Sequence, residues 1–508
     1  MKTALLSCYD KTGLVEFAQG LQAHGYQLIS TGGTFKHLKN AGLSVLEVSD
    51  ITQFPELFDG RVKTLHPRIF AGILYRRNHV EDQKDLENHQ LMSIDLVVNT
   101  LYPFEETLNT KGATHQDLIE KIDIGGPSLI RAAAKNYQDV TIIVDPKDYP
   151  RFLSYLEKQK QTSLEQRQQF AAKAFNYTAY YDSVIASYFN SEENNNFPEF
   201  LTKGYVLKQT LRYGENPHQA AAFYQSSMDK EQGVLNTHQI HGKELSFNNI
   251  FDANSAINIV KEFSEPTAVA IKHANPCGVG CADTIYEAYL KAYASDTSSI
   301  FGGIVALNRE VDKRLANKLH EIFLEIIIAP GFSDEALEIL TKKKNLRLLV
   351  LDMENIVAES MAFKQVENGL LLQEKDFSLY NEFEVVSKLE PSEEEIKDLE
   401  FAWKVAKHIN SNGIVLVKDR ATIGLGIGFV NRFFATEEAL KRAGKKAAGA
   451  ILASDGFFPF ADSIEALGEA KVSAVIQPGG SIKDNEVIEA ADKLGLKMIF
   501  TKMRHFKH

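Results

Sequence analysis

The 508-residue sequence predicts an α/β protein of more than one domain, with a mostly parallel sheet in its first part. Three observations carry that expectation. From the first residues to about residue 145, short apolar runs alternate with stretches of helical periodicity, the pattern of strands joined by helical crossovers. The chain is longer than one hydrophobic core supports, since single cores stop growing beyond about 250–300 residues. A polar stretch, Glu192-Glu193-Asn194-Asn195-Asn196-Phe197-Pro198, has the composition of a linker.

In the first segment, residues 3–8, 26–30, 44–48, 94–100 and 140–144 read as strands, and 13–24 and 34–42 read as helices. Ligands of such sheets sit at the carboxyl ends of strands, so the residues directly after each run are informative. Ser7-Cys8-Tyr9-Asp10-Lys11-Thr12-Gly13 closes the first run. Ser30-Thr31-Gly32-Gly33-Thr34 closes the second and leads into a helix. Hydroxyls and backbone N–H groups there suit a phosphate, although a plain N-cap with a tight turn has the same sequence. The spacing is not that of a Walker loop. Gly60-Arg61-Val62-Lys63-Thr64-Leu65-His66-Pro67 adds three basic or titratable side chains and a hydroxyl. Tyr102 and Pro103 come after the fourth run, Asp123-Ile124-Gly125-Gly126 opens another helix, and Arg131 and Lys135 stand one turn apart on it. Phosphate donors, lysines, a tyrosine and an aspartate without an evident nucleophile suit proton transfer on a phosphorylated substrate.

Residues 164–191 read as a long helix or a helix pair, and the boundary is expected near residue 197, giving domains 1–197 and 198–508. The second opens on Leu211-Arg212-Tyr213-Gly214-Glu215-Asn216-Pro217-His218-Gln219, whose Arg-Tyr pair enters a polar turn suited to gripping a phosphate and a base. In AVAIKHANPCGVGC, residues 268–281, an apolar strand delivers Lys272 and His273 into a turn of Asn, Pro and Gly. A cation beside an imidazole suits removing a proton while stabilising developing negative charge. A solvated lysine next to a satisfied histidine is the plainer reading of the dipeptide alone. Further apolar runs are 301–307 and 326–329, the latter preceded by Glu325. A charged stretch at 389–397 starts a second α/β half, with paired strands at 413–417 and 423–428 and another at 447–454, so subdomains of about 198–385 and 386–508 are expected. Internal duplication is suggested without a fixed period. Gly424-x-Gly426-x-Gly428 lacks the helix and downstream acid of a dinucleotide loop.

Bulk properties narrow the function. A net charge of −11 argues against a general nucleic-acid or membrane-surface role. No apolar run approaches the length of a membrane span, and MKTALLSCYDKTG reads as a first strand and not a signal peptide. Three cysteines, an odd number, fit a reducing cytoplasm without a disulfide framework. Cys277 and Cys281 beside His273 invite a metal reading, but C-x3-C has no second pair, and His79-Val80-Glu81 lies far from it. No catalytic metal is expected.

DKTGLVEFA, STGGT, GRVKTLHP, LYPF, IDIGGPSLIRAAAKN, LRYGENPHQ, IKHANPCGVG, SDGFFPF and the terminal RHFKH, in this order from residue 3 to 508, together resemble the bifunctional purine-biosynthesis family of AICAR formyltransferase and IMP cyclohydrolase. The resemblance implies an N-terminal methylglyoxal-synthase-like domain with a parallel sheet, followed by two deaminase-like α/β subdomains without zinc. In the first domain it implies that Tyr9, Asp10, Lys11, Thr31, Gly32, Gly33, Thr34, Arg61, Val62 and Thr64 hold the nucleotide, with Asn99, Thr100 and Ile124 alongside. It assigns ring closure to Lys63, Tyr102, Asp123 and Lys135, the last as proton shuttle. Thr100 is a departure, since the family usually has Asn before LYPF. In the second domain, substrate positions match Arg212, Tyr213, Gly302, Glu325, Asn412, Arg432 and Arg504, and folate positions match Phe433, Phe457, Asp462, Ser481 and Ile482. Lys272, His273 and His508 match catalytic positions; some members have Asp at Glu325, and Lys507 is commonly Arg or His.

The implied reactions are formyl transfer from 10-formyltetrahydrofolate to AICAR, then dehydrative closure of formyl-AICAR to IMP, in a cytoplasmic homodimer. His273 is expected to act as general base and Lys272 to stabilise the oxyanion. Two rivals stand beside this: a methylglyoxal-synthase-like lyase, which leaves the second segment unexplained, and a nucleotide-binding regulatory protein without turnover.

Overall fold

The computed structural model describes residues 2–58, 61–193, 195–226, 237–353 and 361–508. Gly60 and Asn194, named in the motifs above, lie outside the described residues. The chain divides into two compact units between Val206 and Leu207.

The first unit is built on five parallel strands, β1 (Lys2–Cys8), β2 (Tyr26–Ser30), β3 (Val45–Glu47), β4 (Leu96–Thr100) and β5 (Thr141–Ile143), in the order β3-β2-β1-β4-β5. β4 and β5 are buried along their whole length, as strands covered by helices on both faces must be. The order turns between β1 and β4, so the chain leaves the sheet in opposite directions there and opens a crevice at their carboxyl ends. All five expected strands form. The second helix, Gly32–Asn40, starts at Gly32 and not at Thr34 as expected, with extended Thr31 at its N-cap and a left-handed φ of 53° at Gly32 that its missing side chain permits. The long helix Leu164–Glu192 forms as expected; Ser163 and Gln166 close its start in a reciprocal capping box.

The second unit opens on a ribbon, β6 (Tyr205–Leu211) with β7 (Ala221–Ser226). Its body is one twelve-stranded sheet. The first half contributes β8 (Thr237–His241), β9 (Thr267–Lys272), β10 (Asn275–Cys281), β11 (Ile304–Leu307), β12 (Ile326–Ala329) and β13 (Arg347–Leu351). A separate ribbon, β14 (Met361–Val366) with β15 (Gly369–Glu374), intervenes. The second half contributes β16 (Glu384–Val385), β17 (Ile414–Lys418), β18 (Ala421–Gly426), β19 (Ile451–Ser454), β20 (Ala474–Gln477) and β21 (Lys497–Phe500). Read from the centre outward, β10-β9-β11-β12-β13-β8 on one side matches β18-β17-β19-β20-β21-β16 on the other. β10 and β18 join the halves as antiparallel neighbours. The duplication suspected from sequence is therefore present in the topology.

Each half begins with a helix, Phe247–Val260 or Glu393–Ala406, that leads into its central hairpin. A second helix then lies against the inner strand: Ile285–Ser295 on β10, and Arg432–Ala443 on β18. Glycines make both approaches close enough. A Cβ at Gly278 would come within 2.0 Å of the Ala292 carbonyl oxygen, and one at Gly424 within 2.1 Å of that of Ala439. One sequence expectation is corrected here. Residues 275–281 are not a turn but strand β10, entered through the two-residue turn His273-Ala274 with a bulge at Pro276 that spares the proline a ladder bond. Asp252 lies inside a helix capped by Ser246. Among the described residues, no helix is long and apolar enough to cross a membrane.

Candidate active sites

The first unit holds a cavity of about 690 Å³ at the carboxyl ends of β1 and β4. Tyr9, Lys11, Thr31, Gly33, Thr34, Arg61, Lys63, Thr64, Thr100, Tyr102, Asp123 and Ile124 line it, brought there from five separate loops. Asp10, Gly32, Val62 and Asn99 do not line it; the Asp10 carboxylate accepts the Thr12 N–H, and Asn99 is buried with its side-chain oxygen unpartnered. Lys63 lies over the start of the helix Gly32–Asn40, where a Cβ on Gly32 would come within 2.8 Å of its Nζ. Glycine is thus what admits the ammonium to a helix end whose free N–H groups already favour an anion. Glu56 holds Lys63 at 2.7 Å, with its carboxylate oxygen 3.5 Å from that same Cβ position. The Thr34 hydroxyl clips this loop to β1, accepting the Cys8 N–H at 3.1 Å and donating to the Cys8 carbonyl at 2.9 Å. Thr100 does similar work on the neighbouring loop: its Oγ1 accepts the Asp10 N–H at 2.9 Å.

Asp123 is the acid of this cavity. Its carboxylate accepts the Gly126 N–H at 2.8 Å, and its own N–H donates to the Tyr181 hydroxyl at 2.8 Å. Burial pushes its pKa above the usual carboxylate range, against the pull of the helix N–H groups and of Lys63. The group therefore holds a proton at higher pH than a surface aspartate. Tyr102 stands edge-on to Tyr9 at 5.8 Å, and Arg61 pairs with Glu120. Cys8 also lines the cavity, but burial pushes its thiol up to about 12, which removes it as a nucleophile. Lys135 is not brought in: it stands exposed at the far end of the helix Gly125–Lys135, roughly 15 Å along the axis from Gly125.

In the second unit, Lys272 and His273 line a cavity of about 580 Å³ with Asn275, Asp296, Phe429 and Arg442. His273 and Ala274 are the two central residues of the β9–β10 turn, both left-handed, with φ of 51° and 58°. This is the geometry of the type I′ hairpin. Lys272 Nζ donates to the Phe301 carbonyl at 3.0 Å, which leaves other N–H donors of the ammonium for a ligand. Gly302 follows Phe301 with φ 73°, its N–H bonded to the Phe323 carbonyl. Glu325 is engaged by Arg347 at 2.8 Å. Cys277 and Cys281 face opposite sides of the sheet, in different core clusters, so one ion cannot use both. Their thiols are pushed by burial up to about 12 and 11. Among the described residues, no three His, Cys, Asp or Glu gather in a metal-holding group.

Asn412, Arg432, Arg504 and His508 belong to the second half and do not line that cavity. Arg432 is buried, paired with Asp455 and bonded to Ser454 Oγ at 2.8 Å and Asn412 Oδ1 at 2.7 Å. Asn412 reaches the cavity wall indirectly, its side-chain amide donating to the Phe429 carbonyl at 2.8 Å. The C-terminal tail is docked, as a role for His508 requires. Lys507 and Ser411 exchange backbone and hydroxyl bonds, His505 is bonded to Asp376 and the Leu379 carbonyl, and His508 stands edge-on to Phe506 at 6.2 Å. Arg504 covers the Phe506 ring at 4.5 Å. Of the expected folate positions, Phe433 neighbours Phe434 at 6.2 Å, Phe457 is partly exposed, Ile482 is fully exposed, Asp462 begins a helix, and Ser481 Oγ accepts the Lys483 N–H. Arg212 lies over the Tyr213 ring at 5.7 Å.

A model of the AICARFT/IMPCHase bienzyme family matches residues 133–442, and one of the MGS-like domain matches residues 13–128. A protein of Thermoanaerobacter sp. (strain X514) named bifunctional purine biosynthesis protein PurH is 56% identical over 509 residues, covering 100% of both chains. A protein of the same name from Bacillus subtilis (strain 168) is 50% identical over 510 residues, again covering 100% of each. The chain belongs to the AICARFT/IMPCHase bienzyme family. It is an enzyme with that family's two activities, AICAR formyltransferase and IMP cyclohydrolase, in purine biosynthesis.

Three side chains that bear on these sites of the bienzyme were missed from sequence: Glu56 beside Lys63, Tyr181 beneath Asp123, and Asp455 beneath Arg432. Asp455 had a signal, since it lies in SDGFFPF; the others join segments with no motif between them.

Proposed function

We propose that the two activities are divided between the two domains read from the sequence: IMP cyclohydrolase in residues 1–197 and AICAR formyltransferase in 198–508. One observation carries this reading. Two cavities lie in two units, one lined by Lys63, Tyr102 and Asp123 and the other by Lys272 and His273.

In the second unit, His273 takes the proton of the AICAR amine as its nitrogen forms a bond to the formyl carbon of 10-formyltetrahydrofolate. Lys272 stabilises the tetrahedral oxyanion, and collapse breaks the bond to the folate nitrogen, which leaves with a proton. Arg212, Tyr213, Gly302, Glu325, Asn412, Arg432 and Arg504 bind the nucleotide, Phe433, Phe457, Asp462, Ser481 and Ile482 the folate, and His508 assists. Asn412, Arg432, Arg504 and His508 stand apart from the Lys272–His273 cavity, which supports a homodimer in which a second copy completes the site. Sedimentation as a monomer under assay conditions would remove that part.

In the first unit, the carboxamide nitrogen attacks the formyl carbon and water is lost. The phosphate lies at the Thr31–Thr34 helix start beneath Lys63, and Asp123 and Tyr102 move protons to and from the carbinol oxygen. The role of Lys135 as shuttle rests on the resemblance alone. Lys135→Ala is expected to lower the rate of ring closure and spare formyl transfer; unchanged closure would take Lys135 out of the mechanism.

The deciding experiment incubates the protein with AICAR and 10-formyltetrahydrofolate and follows IMP. Accumulation of IMP is expected. Loss of both formyl transfer and closure of supplied formyl-AICAR in a folded His273→Ala variant would overturn the division.

A further inference from the structure

The two central hairpins of the second unit are built alike but equipped differently. His273 and Ala274 connect β9 to β10, and Asp419 and Arg420, each with φ 53°, connect β17 to β18. Left-handed backbone is unfavourable for all four residues, so each turn persists only if something holds it. In each half one aspartate of the preceding helix does so. Asp252 accepts the His273 N–H at 3.2 Å and the Ala274 N–H at 2.7 Å. Asp398 accepts the Asp419 N–H at 2.9 Å and the Arg420 N–H at 2.6 Å. Both carboxyls are half-buried, and burial raises the pKa of each.

We propose that Asp252 is a positioning residue for formyl transfer: by gripping the backbone of His273 and Ala274 it holds the turn that presents His273 beside Lys272 in their shared cavity. Asp398 performs the same backbone task on a turn that carries no candidate catalytic group, so the molecule contains its own control. The inference rests on the reading of Lys272 and His273 as the formyl-transfer pair. Relaxation of either φ swings the imidazole away from the cation, and a displacement of about 1 Å at a reacting group costs on the order of 100-fold in rate.

The test uses the full-length protein. Asp252→Asn keeps the side-chain volume but offers one acceptor where two are needed. It is expected to lower kcat of formyl transfer on the order of 100-fold, with the KM for AICAR within about threefold and ring closure of supplied formyl-AICAR unchanged. Asp398→Asn, with the same loss at the twin turn, is expected to keep formyl-transfer kcat within about threefold. Adding Ala274→Gly to Asp252→Asn supplies a residue that is at ease in left-handed backbone. It is expected to recover roughly tenfold while staying several-fold below the native rate, because a freed turn is not a held one. Native kcat in Asp252→Asn, or an equal loss in Asp398→Asn, overturns the proposal. If thermal melting shows that Asp252→Asn does not fold, the double variant decides: a folded double variant with native kcat overturns it, and one several-fold slower supports it. His273→Ala is measured alongside. Survival of formyl transfer in that variant refutes the underlying reading, whereas its loss there combined with native kcat in Asp252→Asn refutes only the role of Asp252.

Discussion

The candidate site of the first unit is gathered in one place, and that of the second is not. In the first, residues from Tyr9 to Gly126 converge on one cavity because a parallel sheet sends the loops that follow its strands to the same edge. In the second, duplication puts two like hairpins at the centre of one sheet, and only one carries a Lys-His pair. The nucleotide-side residues of the other half, Asn412 and Arg432, are bonded to Phe429 and Asp455 and lie outside the cavity of Lys272 and His273. A sheet that converges its loops makes a site within one chain. A symmetric sheet makes two half-equipped places, and the difference is legible in what each variant disturbs.

The largest expected effects test whether the two sites are separate. His273→Ala should lower formyl transfer about 10²–10⁴-fold, the range of a general base, and leave closure of supplied formyl-AICAR within about twofold. Lys63→Ala should do the reverse. Loss of both activities in either folded variant breaks the separation. Next in size is Asp123→Asn, expected to slow ring closure about 100-fold while raising the thermal midpoint at neutral pH. The sign comes from burial. The folded-state pKa of Asp123 is raised above its unfolded value, so folding favours the protonated form, and stability falls as pH rises through that window. Asparagine removes the buried charge and keeps an oxygen for the Gly126 N–H. The stabilisation should fade as pH falls toward the unfolded carboxylate pKa; melting curves across acid pH measure it.

A smaller effect sharpens how the first cavity holds its anion. Gly32→Ala places a methyl 2.8 Å from the present position of Lys63 Nζ, which must shift, and forces φ 53° on a residue with a Cβ. Ring closure should fall about tenfold through a raised KM, with a stability loss of about 1–2 kcal/mol by urea denaturation and no change in formyl transfer. A native KM would show that Lys63 does not need the glycine cradle.

Much of this was readable because it is local. Apolar runs marked all five strands of the first sheet, and hydroxyls, glycines and cations at strand ends marked its cavity. The errors came from contacts that no local rule contains. Asn275-Pro276-Cys277-Gly278 has the composition of a turn, yet Asp252, far back in the chain, stabilises the turn one step earlier and releases these residues to form β10. The duplication was hard to see because the turn residues differ between halves. Its signature is sparse: Asp252, Gly278 and Gly280 recur as Asp398, Gly424 and Gly426 at one constant interval. Glu56, Tyr181 and Asp455 were unreadable as partners for the same reason, since each meets its site across a fold and not along a segment.

Thr100 is the mildest test of the convergence. Its hydroxyl takes the Asp10 N–H and so ties the loop after β1 to the end of β4, the two strands that flank the crevice. Thr100→Val keeps the shape and removes the acceptor. Asp10 is exposed, so water replaces most of the lost bond, and the cost should be near the lower end for a hydrogen bond, about 1 kcal/mol or a midpoint drop of a few degrees. With the loop that carries Tyr9 and Lys11 loosened, the KM for formyl-AICAR should rise less than about fivefold while kcat of ring closure and all of formyl transfer stay native. A fall in kcat would mean that the hydroxyl touches the reacting groups directly, and the convergence of loops would then be serving the chemistry as well as the binding.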